Sequence, residues 1–272
     1  MRAILILSLT MIFFGSELFA GGHSSTLQDV KARGKLRCVV TTGLPGFAAP
    51  DANGVWRGFD WDFCRATAAA VLGDANAVDP ITSTGKTRFT KLNAGEGDVL
   101  WRNTTITFSR DVSVKLRFLG VNYYDGQGFM VNKSLGVSSA KELDGASVCI
   151  QTGTTTELNL ADFFSSNNMS YEAVTIETND EARQNYEAGR CDIYTTDASG
   201  LASTRSSLPN PNDHMVLPEI ISKEPLGPAV RQGDDAWADI ITWVLAATIT
   251  AEELGVNSSN VDQMKNSNNP EI

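Results

Sequence analysis

Ser147–Leu158 reads SVCIQTGTTTEL: an apolar run, one glycine and four threonines within Gln151–Thr156, then the start of a new pattern. SVCI has the length and composition of a buried strand. Gly153 permits a tight bend. Thr154 or Thr155 can accept from a free N–H of a following helix, and Glu157 complements that helix's dipole. The stretch is therefore read as strand, turn and helix N-terminus. Backbone N–H groups left over at such an end form a seat for an anion. Capping alone would also account for the threonines.

The same alternation recurs outward in both directions. Toward the N-terminus, Leu27–Arg33 reads as a helix stopped by Gly34, and Leu36–Val40 as a strand. DANG at 51–54 is a hairpin turn signal. GFDWDFCRATAAAVLG follows as a helix, with Asp60 the expected N-cap and Phe63, Ala66, Thr67, Ala70 and Val71 on one face. Strands are predicted over 77–82 and 98–102, with a helix over 86–93 between them. Beyond the opening stretch, strands at 172–176 and 191–195 alternate with helices at 155–164, 180–187 and 198–206. A long amphipathic helix over 236–254 turns Trp237, Ile240, Ile241, Val244 and Leu245 to one side. This pattern predicts an α/β fold with mainly parallel sheets. It breaks at 122–133 and 221–232, which are extended with no helix between flanking strands. Two such crossovers imply that one lobe is inserted into the other.

Composition narrows the function. Of 272 residues, 32 are acidic and 22 are lysine or arginine, a formal net charge of −10. Such a chain is not expected to bind nucleic acid or anionic lipid. Arg2, the greasy run Ala3–Gly15 and the small residues Ala20 and Gly22 mark residues 1–20 as a signal peptide, removed on export. No later segment is long and apolar enough to span a bilayer. The four cysteines, Cys38, Cys64, Cys149 and Cys191, permit two disulfides in three pairings in an oxidising compartment. With two histidines, His23 and His214, and no CxxC, neither a zinc site nor a cofactor is expected.

In open α/β sheets ligands sit beyond the carboxyl ends of strands. The residues there are Thr41, Thr42, Gly43 and Phe47; Asn103, Thr104, Thr105 and Arg110; the QTGTTT turn; and Thr195, Thr196 and Asp197. Taken singly each has a plainer role: Arg110 on a solvated surface, Asp197 as a cap for the helix at Ala198, Phe47 as a loop anchor. Together, a guanidinium, a carboxylate, an aromatic ring and hydroxyls suit a zwitterion. Arginine holds a carboxylate bidentately, and a carboxylate accepts from an ammonium.

At these residues the chain resembles a family. GFDWDFCRATAAAV, NTTITFSR, NYYDGQGFMV, QTGTTTE, RCDIYTTD and EIISKEPLGPAVRQGDDAW are similar to the periplasmic amino-acid-binding proteins of ABC importers, solute-binding protein family 3, and within them to the general L-amino-acid receptors. The resemblance covers the chain from about Thr26 onward. It implies a type II periplasmic-binding-protein fold, two Rossmann-like lobes joined by a two-strand hinge. Lobe 1 would be 22–126 with 226–272, and lobe 2 127–225. It implies Arg110 on the α-carboxylate, helped by Thr105 and the backbone around Thr154 and Thr155. It implies Asp197 on the α-ammonium with the Asn103 backbone, Phe47 near the aliphatic part, and Gln151 and Arg88 facing the side chain. The implied fold sets Cys149 beside Cys191 in lobe 2 and Cys38 against Cys64 in lobe 1, which pairs them. Trp61 and Thr67 depart from the aliphatic residues usual in the family's first helix, and the family continues several dozen residues beyond the position of Ile272.

The function so implied is a monomeric periplasmic receptor that binds free L-amino acids and docks on the permease subunits of an ABC transporter. Two other classes compete. A dehydratase-like enzyme on the same fold needs a positioned acid–base or nucleophile pair, and neither histidine stands near a strand end. A sensory ligand-binding module needs a following membrane span.

Overall fold

A computed structural model describes residues 25–272; the signal-peptide reading of 1–20 and the start of lobe 1 at Gly22 lie outside the described residues. Helix α1 (Thr26–Arg33) ends where Gly34 takes the left-handed conformation, and strand β1 (Leu36–Thr41) follows. The DANG turn joins β2 (Ala49–Pro50) to β3 (Trp56–Arg57), with Asp51 Oδ1 accepting from the Asn53 and Val55 amides. Then come α2 (Phe59–Leu72), β4 (Val78–Ser83), α3 (Arg88–Asn93), β5 (Val99–Leu100), α4 (Phe108–Ser113) and β6 (Leu116–Phe118).

Two short hinge strands interrupt this order. The first, β7 (Tyr123–Asp125), runs into β8 (Gln127–Asn132), which begins a second unit. That unit continues with β9 (Ala146–Gln151), α5 (Thr155–Ser166), β10 (Tyr171–Ile176), α6 (Asn179–Glu187), β11 (Ile193–Asp197), α7 (Ala198–Ser206) and β12 (His214–Val216). The second hinge strand, β13 (Glu224–Leu226), returns the chain to β14 (Ala229–Arg231), α8 (Asp235–Glu253) and α9 (Val261–Met264). β13 pairs with β7 antiparallel, Glu224 opposite Asp125 and Leu226 opposite Tyr123, so the two crossings lie side by side.

Two five-stranded sheets result, one per lobe, in the orders β4-β1-β5-β14-β6 and β10-β9-β11-β8-β12. The strand–turn–helix repeats are parallel, β1 with β4 and β5, and β9 with β10 and β11. The expectation of mainly parallel sheets needs correction, because β14 and β8 enter directly from the hinge and pair antiparallel with their neighbours. A strand that arrives without a crossover helix has no route to a parallel partner.

Each lobe has its own apolar core. In lobe 1, Val40, Trp61, Cys64, Trp101, Trp237 and Ile241 pack together; in lobe 2, Phe129, Val148, Ile150, Leu160, Phe164 and Ile193 do. Cys38 is bonded to Cys64 and Cys149 to Cys191, one disulfide within each lobe. The inward face of α2 differs from the predicted one: Asp60, Trp61, Cys64, Thr67 and Ala68 are buried, and Ala70 is exposed. The disulfide and the Trp61 ring, 5.7 Å from that of Trp56, set this rotation. Asp60 is not the N-cap; that position is Gly58, and the Asp60 side chain turns inward. Thr67 has a role that an aliphatic residue could not fill. Its hydroxyl accepts from the buried Trp101 indole at 3.0 Å and donates to Phe63 O at 2.8 Å. A buried indole N–H without an acceptor is costly.

Candidate functional site

The QTGTTTEL turn is built as its residues suggest. Gly153 sits at φ +71°, Thr154 is the N-cap of α5 and accepts from the Glu157 amide at 3.3 Å, and Glu157 accepts from Gly153 N at 3.0 Å. Gln151 ends β9 and donates to Glu177 O at 3.2 Å. Thr155 opens the first turn of α5, whose N-terminus meets the other lobe.

Across from it, three arginines are buried: Arg88 at the start of α3, Arg102 just after β5, and Arg110 in α4. All three donate to neutral oxygens. Arg88 bonds Asn103 O at 3.4 Å and Thr104 Oγ1 at 3.2 Å; Arg102 bonds Asn103 O at 3.4 Å; Arg110 bonds Thr105 O at 2.8 Å. Arg88 and Arg110 both lie over the Phe89 ring, 4.8 and 5.4 Å from its centre. Among the described residues, the buried Nε groups of Arg88 and Arg102 and Oδ1 of Asn103 find no partner. Burial pushes all three guanidiniums below their ordinary pKa, Arg102 to about 10.

The balancing carboxylates are Asp60, Asp197 and Glu224. Asp197 ends β11 and is 6% exposed, but its side chain caps no N–H of α7. Asp125 serves there instead, accepting from the Ser199 hydroxyl and, at 3.4 Å, the Ser199 amide. Asp197 thus holds the N-cap position of α7, as the plainer reading has it, but without a side-chain capping bond, so its carboxylate is not used by the helix. Burial, then the Asp125 and Glu224 charges, raise its carboxyl to about 7, against the pull of Arg88 and Arg102. Asp60 is also raised to about 7 by burial, with Arg102 pulling it down.

Phe47, in the loop after β1, is 6% exposed and makes edge contacts with Phe59 and Tyr123, ring centres 6.2 and 5.8 Å away. With Ser199 and Ser203 these rings line an interlobe cavity of about 420 Å³. A second cavity of about 620 Å³ lies between Thr42–Pro45 and the Asn179–Arg183 turn. The lobes touch directly there: Asn179 Nδ2 donates to Thr41 Oγ1 at 3.1 Å and Ser203 Oγ to Pro45 O at 2.7 Å.

Arg88, Arg110, Thr105, Thr155 and Asp197 are thus gathered at one place, with Asn103 behind them through its carbonyl. Phe47 lies on one flank, Gln151 is turned to the Glu177 carbonyl, and Thr154 donates to the Gln151 carbonyl. Sequence reading did not find Asp60, Arg102 or Glu224 as members. The signal for Glu224 was a lone acidic residue in the apolar return crossover EPLGPAV.

A family model described as bacterial extracellular solute-binding proteins, family 3, matches residues 36–257. The chain belongs to that family. Within it, the chain is 62% identical over 266 residues to the glutamate/glutamine/aspartate/asparagine-binding protein BztA of Rhodobacter capsulatus, covering 96% of this chain and 79% of that one. It is 58% identical to the general L-amino acid-binding periplasmic protein AapJ of Rhizobium johnstonii, covering 95% and 77%. A solved family structure, a periplasmic binding protein from Brucella ovis with glutathione bound, shares 55% identity at a TM-score of 0.87, covering 91% of this chain and 78% of that one. These relatives are binding proteins, and the two-lobed fold is that of the type II periplasmic binding proteins.

Proposed function

We propose that this protein is a periplasmic receptor that binds free L-amino acids between its lobes and hands them to the permease of an ABC importer. Its lobes would be 22–126 with 226–272, and 127–225, turning about the β7–β13 pair; it would act as a monomer after loss of residues 1–20. Arg110, Thr105 and the first turn of α5 with Thr154 and Thr155 take the α-carboxylate. Asp197 and the Asn103 carbonyl take the α-ammonium. Phe47 borders the aliphatic part, and Arg88 and Gln151 the side-chain end. The observation that carries this reading is the burial of Arg88, Arg110 and Asp197 together at the interlobe contact, where, among the described residues, the two arginines donate to neutral oxygens. Buried guanidiniums of that kind are costly unless an anion completes them.

A receptor releases its ligand unchanged. His214, the described histidine, is bonded to Tyr186 Oη at 2.9 Å and serves the lobe 2 packing. Calorimetry across the common L-amino acids, followed by mass spectrometry of the recovered ligand, tests both points. Saturable binding of at least one amino acid, recovered intact, is expected. No heat from any of them would end the proposal, and a converted product would make the protein an enzyme.

A further inference from the structure

Among the described residues, the buried charged side chains of the site are Arg88, Arg102 and Arg110 against Asp60, Asp197 and Glu224. Asp98, also buried, is paired with Arg33 and Arg37 at the amino ends of β1 and β5. The site charges balance, three of each sign. A zwitterion with a neutral side chain keeps that balance. An acidic side chain adds one more negative charge, and a buried charge left uncompensated is costly. A proton taken up by one of the three carboxyls restores the balance.

Geometry selects among them. Glu224 accepts from the Thr105 and Thr155 hydroxyls on Oε2 and from Asn159 Nδ2 and Ser222 Oγ on Oε1. A carboxylate has about four lone-pair sites, so protonating Glu224 would break a bond. Asp197 must be ionised to hold the ligand's ammonium. Asp60 is 1% exposed and accepts from the Asn103 amide, while its Oδ2 has no partner among the described residues. A proton can be added there without loss of any bond. Asn103 Oδ1, a buried acceptor likewise without a partner, belongs to the residue that already bonds this carboxyl.

The charge that bears on Asp60 is Arg102, just after β5, with Arg88 of α3, Arg110 of α4 and Asp197 of β11 beyond it. On α2 itself, Asp62 pairs with Arg65 at the surface. The neighbouring elements carry charges paired elsewhere: Arg33 and Arg37 with Asp98, Asp79 with Lys35, Arg57 with Asp51. From α8, Trp237 and Ile241 enter the shared core. Arg102 thus favours the ionised form of Asp60, and a ligand carboxylate beside the guanidiniums offsets that pull. We propose that Asp60 is a specificity-determining residue, taking a proton from solvent onto Oδ2 when the cleft accepts an amino acid with an acidic side chain and staying ionised when the side chain is neutral. One cleft then serves both classes without an unbalanced charge. Burial has already raised this carboxyl to about 7, so solvent near neutral pH can supply the proton. The inference rests on the amino-acid-receptor reading above and deepens it.

The test is calorimetry at pH 8 with L-glutamate and L-glutamine, each titrated in phosphate and in Tris, whose different ionisation enthalpies report the protons exchanged. Proton release by Asp197 is common to both ligands and drops out of their difference. Glutamate should take up about one proton more than glutamine, because a carboxyl titrating near 7 is mostly ionised at pH 8 in the free protein. The glutamate-to-glutamine affinity ratio should fall by up to about tenfold between pH 8 and pH 9. Asp60→Asn keeps the shape without the charge. It should abolish the excess uptake and the pH dependence of the ratio, and move preference at pH 8 toward glutamate by about tenfold. Asp60→Ser carries the same expectation where Asp60→Asn does not fold. Excess uptake that survives in either folded variant would place the proton on the ligand or another carboxyl and overturn the proposal. Equal proton counts for the two ligands in wild type would overturn it with no variant needed. A cleft that binds neutral amino acids but no acidic one, or the reverse, would do so too. If wild type binds no amino acid, the receptor reading fails instead, and the first titration tells the two failures apart.

Discussion

Gly85 and Thr154 face each other from opposite lobes so closely that a Cβ on Gly85 would lie 2.8 Å from Thr154 Cγ2 and 3.2 Å from Thr152 O. Gly85 is not held in the left-handed region, so alanine suits its backbone. The obstruction arises only when the lobes meet. Gly85→Ala is expected to fold and melt like wild type in the absence of ligand but to lose at least about tenfold in amino-acid affinity, or ~1.4 kcal/mol. Circular dichroism melting beside calorimetry checks both halves; equal affinity would mean that closure leaves more room at this contact.

Arg110→Ala should be far more damaging than Phe47→Ala. A hydrogen bond to a charged group contributes about 1.5–3 kcal/mol, and the ligand carboxylate left behind adds its own desolvation cost. Affinity should fall at least about tenfold and up to several hundredfold. Phe47 is already shared between Phe59 and Tyr123, so its removal should cost less than about tenfold. Titration of both variants with one amino acid gives the ratio directly.

Asp197 makes binding depend on pH. Its carboxyl is raised to about 7, and only the ionised form can pair with an ammonium. Affinity should therefore fall as pH drops from 8 to 6, and binding at pH 7 should release protons. Calorimetry in buffers of different ionisation enthalpy measures that release. A flat profile would remove Asp197 from the ammonium site.

The same group sets a stability trend of known sign. A carboxyl whose folded pKa lies above its unfolded value favours the folded state below the unfolded value, and that contribution is lost as pH rises through the folded one. Asp197→Asn should match wild type in melting temperature near pH 4. Its advantage should open as pH rises above about 4 and level off above 7, to a gap on the order of 5 °C, while ligand binding is lost. Melting curves at pH 4 and 8 decide it.

Each disulfide closes a loop inside one lobe, with sequence separations of 26 and 42 residues. Chain entropy assigns the longer about 4 kcal/mol. Cys149→Ala/Cys191→Ala should lower the melting temperature markedly, yet leave amino-acid affinity at 25 °C within about threefold, because no bridge crosses the hinge. A large loss of affinity would show that lobe 2 needs the bridge to shape the site.

Most of the fold was legible because strands, helices and their caps are local. Gly34, Gly153, Thr154 and the face of α8 declare themselves within a few residues. The breaks in alternation at the crossovers were legible for the same reason. The inward face of α2 was not, because Asp60 and Cys64 are apportioned by partners at Arg102 and Cys38, far along the chain. In the site, strand-end residues such as Arg110 and Asp197 could be found by position. Glu224 could not, since its four bonds come from residues at 105, 155, 159 and 222 and leave no periodic trace.

The placement of β14 between β5 and β6 has a consequence for the birth of the molecule. Synthesis runs from the N-terminus, so the lobe that is begun first must wait longest. Until residues 229–231 arrive, β5 and β6 have no strand to join them, and α8 is not there to cover Trp101 and Cys38. The inserted lobe is complete in one continuous piece by then. The nascent chain is expected to carry a finished second half beside a gaping first one, and its exposed sheet edges are the place where misassembly would begin.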